Sequence, residues 1–306
     1  MKLKTFIYKI LYYSGINYIY SIFYGNKLYL VMYHSISSKV NSDTLLNKLY
    51  SHISLDIEQF EKQIKYLKEH DHTFINFDDI PNIKSKNIKK PTIIYFDDGL
   101  KDVMINALPI LEKYKVPATI FLVSGILDKT NMIWTIQYKN ILNKENVNLK
   151  EQNALIEKIK SENESYRFEI MKKYSIGDEP YLFDIFLNWD DVRNLMNKGI
   201  SFGSHGVTHS RLNEVDQDRL IYDIKFSKER IEKETGMSIC AFSLPHSRVN
   251  ETVKSQIYNY GYKYLVSAGS GLNNIDGSSF LKNISPKSSD SIINFVNKIN
   301  ILNIFK

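Results

Sequence analysis

Thr92-Ile93-Ile94-Tyr95-Phe96-Asp97-Asp98-Gly99-Leu100 is the stretch on which the fold turns. Five strand-forming residues run straight into two adjacent carboxylates and a glycine. Successive side chains on a strand point to opposite faces, so Asp97 and Asp98 should diverge if the strand persists. At a strand's end the two can divide their work, one holding a metal and the other a proton. The chain carries its own control in Phe77-Asp78-Asp79-Ile80. There Asp78 is expected to cap the helical turn that follows, with Asp79 favouring its N-terminus. No glycine follows that copy to let backbone approach a ligand. An Asp-Asp pair alone therefore decides nothing; its partners do.

Working outward, strand-like and helix-like segments alternate. Leu28–Tyr33 reads as a buried strand. Residues 55–71 read as a helix with Ile57, Phe60, Ile64 and Leu67 at helical spacing. Residues 100–115 form a second, which Pro109 should bend. Further strands are expected at Pro117–Val123, Ile200–His205, Ala241–Pro245 and residues 262–268. Asn188 with Asp191 signals a capping box, and Gly199, Gly236 and Gly261 signal helix ends. One long helix should run from about Asp216 to Gly236. Between about residues 128 and 186 the alternation gives way to lysine- and glutamate-rich helical patches, read as an insertion covering one end of the fold. The organisation expected is an N-terminal amphipathic segment, 1–27, and one catalytic domain, 28–306. Repeated strand–helix units imply a parallel sheet in an α/β fold. No G-x-G-x-x-G follows a strand, so a distorted (β/α) barrel with a helical insertion is favoured over a dinucleotide fold. Barrel chemistry collects at the C-terminal ends of strands. His34, Asp97-Asp98, His205 and Pro245-His246 all lie there.

Bulk properties exclude more than they assign. A net charge of +6 over 306 residues is modest. With no arginine-rich run and no zinc-finger spacing, nucleic acid is not an expected partner. The single cysteine, Cys240, permits no intrachain disulfide and precedes an apolar run, as a buried structural thiol would. The N-terminal MKLKTFIYKILYYSGINYIYSIFYG is interrupted by Lys9 and diluted by small polar residues. It lacks a clear signal-peptide core and is too diluted for a membrane span. Its aromatic, lysine-tipped character suits peripheral membrane contact or a helix packed on the domain. A cytoplasmic or membrane-associated location is expected. His52, His70 and His72 read as ordinary. Trp134 and Trp189 read as packing residues, with Trp134 placed where it could cover a sugar.

The second chemical element is Ser204-His205-Gly206-Val207-Thr208-His209. A His-x3-His spacing puts both imidazoles on one side if the chain turns helically. Two neutral histidines and a carboxylate form a common three-ligand set for a catalytic metal.

Over roughly residues 28–285, insertion aside, the chain resembles the polysaccharide deacetylases, the NodB-homology or carbohydrate esterase family 4 enzymes. YFDDG looks like the family's first motif and SHGVTH like its second. LVMYHSI resembles the branch in which a Tyr-His strand precedes the first motif. The resemblance implies Asp97 as general base, Asp98, His205 and His209 as ligands of a divalent metal, usually Zn²⁺, and His34 as general acid. FSLPHS resembles the third motif, so Pro245 and His246 would serve the oxyanion and the substrate groove. Gly206 departs from the family's usual Ser or Thr, and Ser243, Leu244 and His246 from its usual third motif. The implied activity is metal-dependent N-deacetylation of an amino sugar in a surface polysaccharide or lipid-linked precursor. The alternatives are an inactive glycan-binding protein on the same fold, or an amidase for a non-sugar amide.

Overall fold

Strands β1 (Lys27–Tyr33), β5 (Pro91–Phe96), β6 (Ala118–Leu122), β7 (Ile200–Ser204), β8 (Ala241–Ser243), β9 (Tyr264–Ala268) and β11 (Phe280–Asn283) lie side by side in that order, all parallel. A bridge from Val31 to Ile284, just past β11, returns the sheet to β1 and closes it into a barrel. Short strands β4 (Thr73–Phe74) and β10 (Asn273–Asn274) add to β5 and β1, while β2 (Ser35–Ser37) and β3 (Ser54–Asp56) pair with each other. This computed structural model describes residues 2–15, 27–38, 44–50, 53–172, 179–269, 271–275 and 278–300. His52 and residues 16–26 of the N-terminal segment lie outside them.

Alternation on the strands sorts the core into two layers. Leu28 and Leu30, Ile93 and Tyr95, Phe121, Tyr264, Val266 and Leu281 fill the barrel. Their neighbours Tyr29, Val31, Tyr33, Ile94, Phe96, Ile120 and Leu122 face the helices outside. Gly203 leaves room for Phe121, whose ring a Cβ there would strike. The upstream FDDI copy closes the barrel's other end. Its short 3-10 turn, Phe77–Asn82, inserts Phe77 among Tyr95, Phe121 and Tyr264. The cap residue is Asn76, not Asp78: the Asn76 N–H donates to the Asp79 carboxylate at 3.0 Å. Asp78 instead approaches the Cys240 thiol, which burial pushes up to about 12.

Helix Ile57–Glu69 buries Phe60, Ile64 and Leu67 as its spacing predicts. Two other helices carry a feature that periodicity does not reveal. Residues Val103–Ala107 and Tyr222–Phe226 are π-turns, one residue wider than α-helix. In the first, the Leu108 N–H reaches back to the Val103 carbonyl, and Pro109, which cannot donate, follows in the first turn of helix Leu108–Tyr114. The bend expected at Pro109 is thus taken up as a wide turn. The second splits the expected helix 216–236 into Gln217–Ile221 and Ser227–Thr235 around the π-turn. The strand expected to reach Pro245 ends at Ser243, and Pro245 opens a turn.

Between residues 128 and 186 the described chain forms helices Trp134–Lys144, Leu149–Ser161 and Glu164–Lys172. Trp134 is buried against Leu142, Ile156 and Ile159, beneath the Arg167 guanidinium, so it packs rather than covering a sugar. Trp189 is also buried and donates to Asp128 at 2.7 Å.

Candidate metal and catalytic centre

Every strand end named from the sequence opens into one cleft of about 220 Å³. His34, Asp97, Asp98, His205, His209 and His246 line it, with Tyr50 and Lys160 from outside the barrel strands. Two observations explain how neighbouring carboxylates share it. Asp97 continues the inward set Ile93 and Tyr95, and its N–H is tied to the Tyr33 carbonyl at 3.0 Å. Asp98 then breaks the strand with φ +72°, followed by Gly99 at φ +70°. Left-handed backbone, which aspartate tolerates better than most residues, swings the second carboxylate back to the same side.

The histidines converge without a helix. Residues 205–209 form a loop with Gly206 at φ +82° and His209 at φ +57°, which replaces the helical turn expected from the spacing. Asp98 Oδ1 stands 3.5 Å from His205 Nε2 and 3.4 Å from His209 Nε2. Among the described residues these three form the one group of its kind, with their ligating atoms within 4.8 Å of one another.

The donor chemistry fits a cation. His205 Nδ1 lies 2.8 Å from the Ser243 carbonyl, which can only accept, so Nδ1 carries the proton. Burial lowers the His205 pKa to about 4, and the ring is neutral near pH 7. Its Nε2 lone pair therefore faces a carboxylate oxygen that has no hydrogen-bond partner. Burial opposes ionisation of Asp98, but the imidazoles of His209, His34 and His205 outweigh it and hold the carboxyl well below its usual range. The Tyr50 hydroxyl donates to Asp98 Oδ2 at 3.2 Å, leaving Oδ1 to face the imidazoles. Two imidazole nitrogens and a carboxylate oxygen converging on one point are the donor set a divalent metal satisfies.

Asp97 differs from its neighbour. It is equally buried, and one of its oxygens is unpartnered. Burial pushes it up to about 7, with His34 opposing and the Asp98 charge adding to the shift. His246, at φ +57°, packs its ring 4.9 Å from that of His209 and leaves Nε2 unpartnered. It faces the cleft rather than solvent. Pro245 is buried and is not among the cleft's lining residues. In its turn, the Leu244 N–H goes to the Val266 carbonyl and the Ser247 N–H to the Leu244 carbonyl. Sequence reasoning missed Tyr50, which belongs to the short helix Leu45–Tyr50 and carries no motif. It also missed the Ser243 carbonyl, because a backbone acceptor leaves no trace in residue type. His70 and His72 are engaged elsewhere, with Tyr66 and Thr92.

Comparison with known proteins identifies the family. The family model described as polysaccharide deacetylase matches residues 84–265, more than half of the chain. Poly-beta-1,6-N-acetyl-D-glucosamine N-deacetylase of Staphylococcus aureus is 39% identical over 87 residues, 28% of this chain and 30% of the relative. The enzyme of the same name from Staphylococcus epidermidis is 30% identical over 113 residues, 35% of this chain and 39% of the relative. The chain thus matches only 30% and 39% of these two relatives' length. Among solved structures, the Streptococcus pyogenes deacetylase PplD in complex with acetate superposes with a TM-score of 0.63 at 20% identity, over 89% of this chain and 98% of that one. The family model, matched over more than half of the chain's length, places the chain in the polysaccharide deacetylase family.

Proposed function

We propose that this chain removes the N-acyl group from an amino sugar of a polysaccharide, with a divalent metal held by Asp98, His205 and His209. The observation that carries this is the juxtaposition of three electron-pair donors with a separate buried carboxylate, Asp97, and an imidazole, His34, in one cleft. Two imidazole nitrogens and one carboxylate oxygen suit zinc first among divalent ions. The relatives named for poly-β-1,6-N-acetylglucosamine support that polymer, or its membrane-held precursor, as the substrate class.

A bound divalent cation supplies positive charge that polarises the acyl oxygen and acidifies water. The chain's residues do the rest. Asp97, uncoordinated and adjacent, takes the proton of the attacking water as oxygen adds to the acyl carbon. In the turn after β8, the His246 N–H is the donor left to meet the developing oxyanion, since Pro245 has none and its neighbours are engaged. His34 delivers a proton to nitrogen as the carbon–nitrogen bond breaks, giving acetate and a free amine. The insertion contributes Ile133, Thr135, Ile136 and Lys160 to the cleft wall, where a sugar ring would lie.

The test is acetate release from β-1,6-linked N-acetylglucosamine oligomers by purified protein. Release that stops with a chelator and returns with Zn²⁺ is expected. Oligomer binding without release, unchanged by chelator, would instead support the glycan-binding reading. Helix Lys2–Tyr13 adds a location to the proposal. It leaves Phe6, Ile7, Ile10 and Tyr13 exposed, as peripheral contact with a lipid surface requires. No helix among the described residues is long and apolar enough to cross a membrane. Flotation with anionic liposomes should carry the protein upward; protein left at the bottom of the gradient would remove this part.

A further inference from the structure

The loop that carries both histidines has little of its own to hold it. The residue after His205 is a glycine in left-handed backbone, and His209 is left-handed too. Between them, the Val207 and Thr208 amides point away from the cleft. Both donate to one buried carboxylate oxygen, Asp223 Oδ1, at 2.9 and 2.7 Å. The Thr208 hydroxyl adds a third donor, 2.8 Å from Asp223 Oδ2. Asp223 is wholly inaccessible to solvent, and the Arg219 guanidinium lies 3.4 Å from its carboxylate.

The helix carrying Asp223 is deformed at this residue. Asp223 sits in the π-turn Tyr222–Phe226, and a second set of bonds ties the same turn to the same loop. The Gly206 N–H donates to Ser204 Oγ at 3.1 Å, Ser204 Oγ to Ser227 Oγ at 2.7 Å, and Ser227 Oγ to the Asp223 carbonyl at 2.6 Å. The fit is close, since a Cβ on Gly206 would stand 3.1 Å from Asp223 Oδ1. A buried carboxylate gathering three donors from one short loop is stronger than ordinary turn bonding, because every bond is charge-assisted. The wide turn therefore has a use: it brings a carboxylate under the loop.

We infer that Asp223, acting through Thr208, is a positioning residue that fixes His205 and His209 at metal-binding separation. The inference rests on the metal-site reading above and goes beyond it by naming what holds the site in shape. Outer-shell partners of this kind typically change metal affinity 10- to 100-fold when removed.

The test uses Zn²⁺ competition against a chelating indicator, and the visible d–d spectrum of the Co²⁺-loaded protein. Thr208→Val removes the hydroxyl donor and Thr208→Ser keeps it. Asp223→Asn keeps an acceptor of the same shape but loses the charge. Zn²⁺ affinity should fall about 10-fold in Thr208→Val and at least as much in Asp223→Asn. Thr208→Ser should stay within about twofold of wild type. The Co²⁺ band should change in the first two variants and not in the third, a difference general loosening would not produce. Metal-free melting curves show which variants are folded when titrated; Thr208→Val and Asp223→Asn probe the same contact independently. Equal affinities and spectra in all four proteins overturn the inference while leaving the metal site intact. Failure of the wild type to bind Zn²⁺ overturns the site itself. Tight Zn²⁺ binding without acetate release overturns the proposed activity alone.

Discussion

Asp97 and Asp98 differ in sequence position by one and in environment by almost everything else. One carboxylate faces imidazole nitrogens that hold it ionised; the other, equally buried, is pushed up to about 7. This separation predicts separable defects. Asp97→Asn should retain one bound Zn²⁺ with unchanged affinity, while kcat falls by about 10²–10⁴-fold. Asp98→Asn should lose the metal and, with it, all activity. Metal analysis of the two purified variants beside acetate-release kinetics checks the pair. Metal loss in Asp97→Asn, or full activity in it, would contradict the assignment. The residue types were legible in YFDDG and SHGVTH. The convergence was not, because alternation predicts divergence of two adjacent aspartates. Only the left-handed conformation at Asp98, where sequence alone would favour a glycine, reverses it.

At the scale of elements, helices and strands followed their patterns wherever the local pattern sufficed. Helix Ile57–Glu69 and the Asn188–Asp191 capping box are cases in point. The π-turns were not legible, since they answer to bonds made elsewhere: Asp223 to a loop sixteen residues earlier, Leu108 to a following proline. His72, just before β4, gives this scale its own prediction. Its Nδ1 donates to Thr92 Oγ1 at 2.7 Å, and Thr92 passes its own proton to the Lys90 carbonyl. Burial first, then the charges of Lys90 and His70, lower its pKa to about 3, against 6.5 when unfolded. A depressed histidine pKa means that the unfolded chain takes up the proton first as pH falls. The stability is therefore full above pH 6.5 and is lost on the way down towards pH 3. By pH 4.5 the loss from this group is about 2–3 kcal/mol. Denaturant midpoints measured from pH 7 to 4.5 should fall more steeply for wild type than for His72→Asn, which keeps a donor for Thr92. Parallel curves would remove His72 from the account.

For the whole molecule, a barrel was readable from repeated strand–helix units without a dinucleotide fingerprint, and so was the prediction that its chemistry would gather at one end. Closure was not readable. It depends on Ile284, outside any strand, giving its N–H to the Leu30 carbonyl and accepting from the Met32 N–H. The glycine after Asp98, absent after Asp79, already separated the two Phe-Asp-Asp copies in the sequence; their places at opposite ends of one barrel give that difference its structural meaning. That closure brings β1, β5 and β7 round a common axis, so that distant segments meet at Asp98. The most direct test of the central claim is anomalous X-ray diffraction, at the zinc edge, from crystals grown with Zn²⁺. One strong peak per chain, bonded to Asp98, His205 and His209, is expected, with Asp97 outside its coordination sphere. A cleft without a peak, or a zinc ligated by Asp97 in place of Asp98, would contradict it.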